Sequence, residues 1–364
     1  GSTQAEGPAA FYKAFDTPET VSRSISQLFL GVRIACAQCH HHPSEKWAQE
    51  DYFGLAGFFT GVTRKPLAAG GERILSRGGT ELAHPRTAAM IPTHALGASP
   101  ADFSLVSDRR RVLADWMTSP DNPFFTRMIV NRLWAHYLGR GLVTPIDDLR
   151  ETNPATNEPL FDGLVAHMKE VKYDLKAFTR TLMNSRVYQL SPATNATNAG
   201  DQQNFSHALD KALPAEVLLD MVCQTTGVPE KFNGWPLGYR SIELWDSRVP
   251  TYFFRIFGRP SRTSVCECER SNEPSIAQAL HLLNSPEVME KIQHPHGMAR
   301  GLANSARPPA EIVDDLYLET LSRFPRDDER QLMLEAFAVS ADRQSAVEDV
   351  LWTLLNTKEF IYNH

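Results

Sequence analysis

The sequence predicts a mainly α, multi-helical fold with a short irregular or β-containing connector and an aromatic-rich insertion. Three observations predict it. Apolar residues recur at helical spacing through most of the chain. Residues 61–104 collect glycine pairs and prolines with little periodicity, and residues 234–257 crowd Trp, Tyr and Phe at mixed spacing. The chain has 364 residues, 42 % hydrophobic and 22 % charged. That is enough for two or three domains, and the balance excludes wholesale disorder, collagen-like repetition and a coiled-coil rod.

The elements follow in order. Thr17-Pro18-Glu19 supplies a capping hydroxyl and a first-turn proline, and Val21, Ile25, Leu28, Phe29 and Val32 continue at helical spacing, so this helix is expected to deliver Cys36. Gly70-Gly71 and Gly78-Gly79 mark residues 61–104 as irregular structure or short hairpins. A domain boundary is therefore placed near 104, with one domain over 1–104 and a second over 105–364. Beyond Ser107, Val112, Leu113, Trp116 and Met117 form one apolar stripe. Phe125, Ile129, Leu133, Trp134 and Tyr137 form the next, which Gly139 stops. Helical windows follow at 159–171, 174–187 and 213–226, the last opened by Pro214 and closed by Gly227. Residues 191–208 are rich in Asn, Thr and Gln and read as a surface loop. The aromatic stretch from Tyr239 to Phe254 fits short strands or aromatic loops. Helices resume at 274–284, 309–323, 326–339 and 343–361. No internal repeat is visible.

Lys and Arg total 37 against 43 Asp and Glu, a net charge of −6 with no long basic run. Nucleic acid is not expected as a partner. No window reaches the ~20 apolar residues of a membrane span; the richest, Leu28 to Ala37, already carries Arg33. The opening Gly-Ser-Thr-Gln lacks the basic and apolar regions of a signal peptide and reads as the scar of a cleaved tag.

The sharpest chemical motif is Cys36-Ala37-Gln38-Cys39-His40, followed by His41, His42 and Pro43. Thiols at i and i+3 with an imidazole at i+4 share one face of a helical turn. Cys36 and Cys39 can then form thioethers with a porphyrin while His40 ligates its iron, the pattern of c-type haem attachment. A second pair, Cys266-Glu267-Cys268, opens an alternative. With Cys36 and Cys39 it can complete a four-thiolate zinc site, and His40 or His42 can replace a thiolate in a mixed site. Disulfides are the third reading. Cys223 lies in the apolar run Val217 to Val222 and reads as a small buried hydrophobe.

An iron would need a sixth ligand or an open face; His84, His94, His207, His281 and the methionines are the formal candidates, and His84 is carried forward as a metal ligand. Asp147-Asp148 reads as a capping pair rather than an acid/base pair. No nucleophile elbow, phosphate-binding glycine loop or His-Glu-x-x-His is present. The aromatics of 235–257 suit stacking on sugar rings, or simply a core.

Longer stretches carry a resemblance. Gly31 to Pro43, with Trp47 and Asp51-Tyr-Phe-Gly-Leu-Ala-Gly-Phe-Phe59, resembles the planctomycete-type domain of unknown function that often follows a planctomycete cytochrome c domain. From Asp108 onward the chain resembles the partner domain of unknown function, through Asn131 to Leu142, Leu213 to Leu219, Phe257 to Pro260, Cys266 to Arg270, Gln278 to Asn284 and Leu355 to Phe360. The resemblance covers nearly the whole chain. It implies a secreted or periplasmic protein, from genomes rich in polysaccharide degradation, with both cysteine motifs at family positions and no firmly assigned activity. Family members carry a longer amino-terminal half with a signal peptide, so truncation is expected here. An exported Cys-x-x-Cys-His is a substrate for cytochrome c maturation enzymes. The expected roles are therefore electron transfer by a haem c protein, with a redox partner protein, a cytochrome or a polysaccharide at hand, or a zinc- or disulfide-stabilised binding scaffold.

Overall fold

The computed structural model describes residues 1–3, 6–68, 70–244, 249, 251–260 and 275–363. Cys266, Cys268 and the start of the 274–284 window lie outside them. The chain is mainly α, and it divides into two compact units, one spanning Gly1–Leu209 and the other beginning at Asp210.

In the first unit, the helix Pro18–Ile25 starts as its sequence requires: Thr17 accepts from the N–H of Thr20, and the Thr20 hydroxyl answers at the Thr17 backbone. It does not run on to Cys36. At Ser26 it widens into a π-turn, Ser26–Leu30, and Gly31 ends it at φ +67°. A Cβ at Gly31 would sit 2.7 Å from Leu149 Cγ, so both the left-handed backbone and the packing call for glycine.

The helix Gln49–Ala56, which no spacing signal announces, is buried over most of its length. Residues 61–104 carry the antiparallel hairpin Val62–Pro66 with Glu72–Ser76 and the shorter pair Leu82–Ala83 with Met90–Ile91. These pack with Ile34, Tyr52, Leu55 and Phe58 around one core. The helices Arg109–Met117, Phe125–Leu138, Glu158–Glu170 and Leu175–Met183 follow, the last three around a second core of Val130, Trp134, Phe161, Met168 and Phe178.

The second unit is built on Ala215–Thr226, Ile276–Asn284, Pro286–Ile292, Met298–Ala303, Pro309–Leu321, Asp327–Val339 and Arg343–Leu355. The 343–361 window breaks after Leu355, and a short helix, Lys358–Ile361, resumes beyond the Thr357 cap. The aromatic stretch departs from expectation. Its described part is a 3-10 turn at Ser241–Glu243 and a short α-helix at Tyr252–Ile256, not strands. Phe253 and Phe254 sit in the core with Phe232, Leu316 and Leu351, because burying rings gains more free energy than exposing them.

Arg323 links the end of this bundle. Its guanidinium donates to both carboxylate oxygens of Glu329, at 2.8 and 2.9 Å, and to both of Glu359, each at 2.7 Å. Bonding to Arg323 brings Glu329 from 4.5 down to about 2. A depressed carboxylate adds stability that is present above its ordinary value and is lost as pH falls through the folded value. Arg323→Gln is expected to lower stability at pH 7 by about 1–2 kcal/mol. It should also move the acid-unfolding midpoint of the second unit to higher pH, followed by circular dichroism.

Candidate functional site

The Cys-x-x-Cys-His segment lies on a 3-10 helix, Ala35–Gln38, rather than on the preceding α-helix. A 3-10 helix has three residues per turn, so positions i and i+3 eclipse one another. Ile34 and Ala37 eclipse on the inner edge and are fully buried. Cys36 and Cys39, on the outer edge, are exposed free thiols. The N–H groups of Cys39 and His40 both donate to Cys36 O at 3.3 Å, which closes the turn and puts His40 one step beyond the second thiol.

His40 is exposed, and its Nδ1 stands 2.6 Å from His41 O. A carbonyl only accepts, so Nδ1 carries a proton, and in the neutral tautomer this leaves the lone pair on Nε2. This is the orientation in which histidines bind metals. His42 is set the other way: its Nδ1 accepts from the Ser44 N–H at 3.2 Å, which leaves its proton on Nε2. The His42 backbone N–H donates to Trp47 O at 2.8 Å, and Gln49 Nε2 donates to Gln38 O at 3.1 Å. The loop after the motif is thus tied to buried Trp47 and to the helix Gln49–Ala56. Burial raises Glu45 above its ordinary value, with His42 acting in the opposite direction.

A second set of contacts fixes the approach to the turn. Arg33 pairs with Asp147, whose side chain is 1 % exposed and also accepts from Gln27 Nε2 at 2.6 Å. Leu149 N–H donates to Gly31 O at 2.8 Å, and Lys46 pairs with Glu151 at 3.2 Å on the surface. Asp147 therefore holds the segment leading to Cys36, where the sequence suggested only a cap. Its partners lie more than one hundred residues upstream, beyond the reach of any spacing rule.

His84 is held elsewhere. Its Nδ1 accepts from the N–H groups of Arg86 and Thr87 at 3.2 and 3.3 Å, and its Nε2 stands 3.8 Å from Glu50. His94 Nδ1 donates to Pro92 O at 2.8 Å, and its Nε2 faces Asp51 at 3.5 Å; that hydrogen bond raises His94 above its ordinary value. In the second unit, His281 packs against Tyr252, Phe253 and Phe257, and burial lowers it. Burial also pushes the Cys223 thiol up to about 11, as befits a packed hydrophobe. Among the described residues no group of three or more His, Cys, Asp or Glu side chains is placed to hold a metal ion. A four-thiolate site would need Cys266 and Cys268, which lie outside the described residues.

The fold and the motif define a class: a mainly α protein of two compact units with a surface Cys-x-x-Cys-His turn at its amino-terminal end. Residues 109–337 match the profile PSD1, described as protein of unknown function (DUF1553), and residues 3–64 match PSCyt2, protein of unknown function (DUF1549). The chain belongs to the PSD1 family and carries both of the planctomycete paired domains of unknown function. Searches of curated proteins and of solved structures returned no match.

The boundary read near 104 falls between the two matched stretches, whereas the compact units divide at 209 and 210. Residues from both matches interlock inside the first unit. Arg33 and Gln27 meet Asp147 there. No helix among the described residues is long and apolar enough to cross a membrane.

Proposed function

We propose that this chain is a secreted or periplasmic c-type haem protein with an electron-transfer role. The observation that supports it best is the turn itself: two exposed thiols eclipsed on one edge, and His40 with Nδ1 engaged by His41 O and Nε2 free. The residues fit the group. Cys36 and Cys39 would hold the group covalently through their thiols. His40 Nε2 would ligate the iron, and a bound haem would supply one-electron redox chemistry.

The chain's own contribution is positional. Buried Ile34 and Ala37 fix the rotation of the turn, Asp147 neutralises Arg33 behind it, and His41 O sets the His40 tautomer. Surface exposure of the turn suits contact with a redox partner protein or a cytochrome. A role in polysaccharide oxidation is the extension suggested by the family's setting.

A second reading keeps Cys36 and Cys39 and adds Cys266 and Cys268 in a structural zinc site, with the protein acting as a binding scaffold. The cysteine count favours it, because haem leaves the second pair unused. One preparation separates the two readings. The chain is exported behind a leader in a host with cytochrome c maturation enzymes, then examined by visible spectroscopy and metal analysis. Sharp α and β bands on reduction, surviving denaturation, are expected. A colourless full-length protein with about one zinc per chain would overturn the haem reading in favour of zinc.

A further inference from the structure

His94 follows the strand Met90–Ile91 and lies on the helix Gln49–Ala56. Its backbone N–H donates to Gly54 O at 3.2 Å, and its ring takes the space of a side chain at Gly54, where a Cβ would overlap Cε1, Nδ1 and Nε2. Both ring nitrogens face oxygen atoms that accept. Nδ1 is 2.8 Å from Pro92 O, and Nε2 is 3.5 Å from Asp51 Oδ1. Burial works against the Asp51 charge, but bonds from His94 and the Ala48 N–H outweigh it and keep this carboxyl below its ordinary value. A neutral imidazole has one N–H and would set a lone pair against one of the two oxygens, whereas the imidazolium satisfies both. In that form neither nitrogen keeps a lone pair for a metal.

The pair sits where the helix starts. Asp51 Oδ2 also accepts from the Ala48 N–H at 2.8 Å, and the neighbouring Gln49 holds Gln38 O on the cysteine turn. The surrounding charges favour a cation at His94. Glu50 adds a second negative charge on the same helix turn and stands 3.8 Å from His84. Lys46 faces Asp51 from the loop side but pairs with Glu151, and Arg109, on the helix Arg109–Met117, gives its N–H groups to the Thr93 hydroxyl at 3.0 Å and to Gly79 O at 2.9 Å. Bonding to Asp51, opposed by burial, raises His94 above 6.5. A raised histidine adds stability that is complete below its unfolded value and is lost as pH rises through the folded one. The sensitive window therefore lies on the alkaline side of 6.5.

We infer that His94 is a proton-operated clamp: its imidazolium binds the start of Gln49–Ala56 to the connector, and its deprotonation loosens the helix start that carries Gln49 and the loop behind the cysteine turn. The clamp does not depend on what Cys36 and Cys39 hold.

The test uses the full chain. Ring-proton NMR, with the His94 signal assigned by its loss in His94→Gln, gives the titration midpoint in the folded protein and in urea. The folded midpoint is expected to be the higher of the two. Asp51→Asn keeps an acceptor for the Ala48 N–H but removes the charge, so it should bring the folded midpoint down to that in urea or below it. Hydrogen-exchange protection, corrected for the intrinsic rate at each pH, is read at residues 48–52. From about pH 6 to about pH 8.5 it should fall roughly fivefold in the parent, the upper end for a partly exposed ion pair, while the helix Phe125–Leu138 stays constant. In Asp51→Asn and in His94→Gln that fall should vanish. The inference is overturned if folded His94 titrates at or below its midpoint in urea, if protection at residues 48–52 is the same at both pH values, or if Asp51→Asn keeps the pH profile of the parent.

Discussion

The double substitution Cys36→Ala with Cys39→Ala is expected to abolish covalent haem retention completely in protein matured by an export-competent host. Each single substitution should weaken it, since one thioether remains. Both thiols are exposed on the outer edge of the 3-10 turn, while the inner edge is filled by Ile34 and Ala37. The substitutions therefore remove sulfur without opening the core. Their cost in stability should stay within about 0.5 kcal/mol, the usual range for surface changes, so loss of cofactor cannot be ascribed to unfolding. A haem stain after denaturing electrophoresis reads the outcome directly. His40→Ala should behave differently, keeping the proposed covalent attachment but changing the visible spectrum, because an iron ligand rather than a thioether would be lost. Cys268→Ala separates the readings: haem retention should be unaffected, whereas a four-thiolate zinc site would lose its metal. Unaltered haem retention in the double variant would sink the proposed attachment.

What was legible in the sequence, and what was not, follows from the range of the interactions. Elements with local punctuation could be read. Thr17 caps Pro18–Ile25 and Gly227 at φ +70° ends Ala215–Thr226, each through contacts a few residues apart. Gln49–Ala56 escaped because Ala48 offers no capping side chain and burial on nearly all sides leaves no polar stripe to set a period. The helix expected to reach Cys36 stops early because the Ser26 hydroxyl donates to Val32 O at 2.8 Å and Gly31 turns the chain, and neither contact interrupts the apolar spacing. The aromatics near 253 fit short strands or loops in the sequence because strand, loop and core helix share the same composition over so short a run. Within the site, the order of Cys36, Cys39 and His40 was legible as a motif. The His40 tautomer, which depends on a carbonyl position, and the Asp147 clamp, which spans more than one hundred residues, were not.

Asn131→Ala is expected to destabilise the first unit strongly. Asn131 is fully buried on the helix Phe125–Leu138 and serves three backbone groups. Its Nδ2 donates to Val143 O at 2.9 Å and Ile146 O at 3.0 Å, and its Oδ1 accepts from Val143 N–H at 3.0 Å. No regular strand or helix pairs these groups, so alanine would leave them without protein partners in a dry interior. A buried polar group left unsatisfied costs about 1–3 kcal/mol, and with partial relaxation the total here should be about 3 kcal/mol. For a unit of this size that corresponds to a fall in Tm of roughly 6–12 °C. The consequence should reach the cysteine turn, because the same loop ends in Asp147, which holds Arg33. Asn131→Asp is the informative partner. It keeps the acceptor for Val143 N–H but sets a carboxylate against two carbonyl oxygens, so it should be at least as destabilising at pH 7 and should recover part of the loss when acid protonates the carboxyl group. Thermal unfolding of the three proteins across pH decides the matter. An Asn131→Ala variant that melts with the parent would show that the loop, and with it the Asp147 clamp, is held by apolar packing alone.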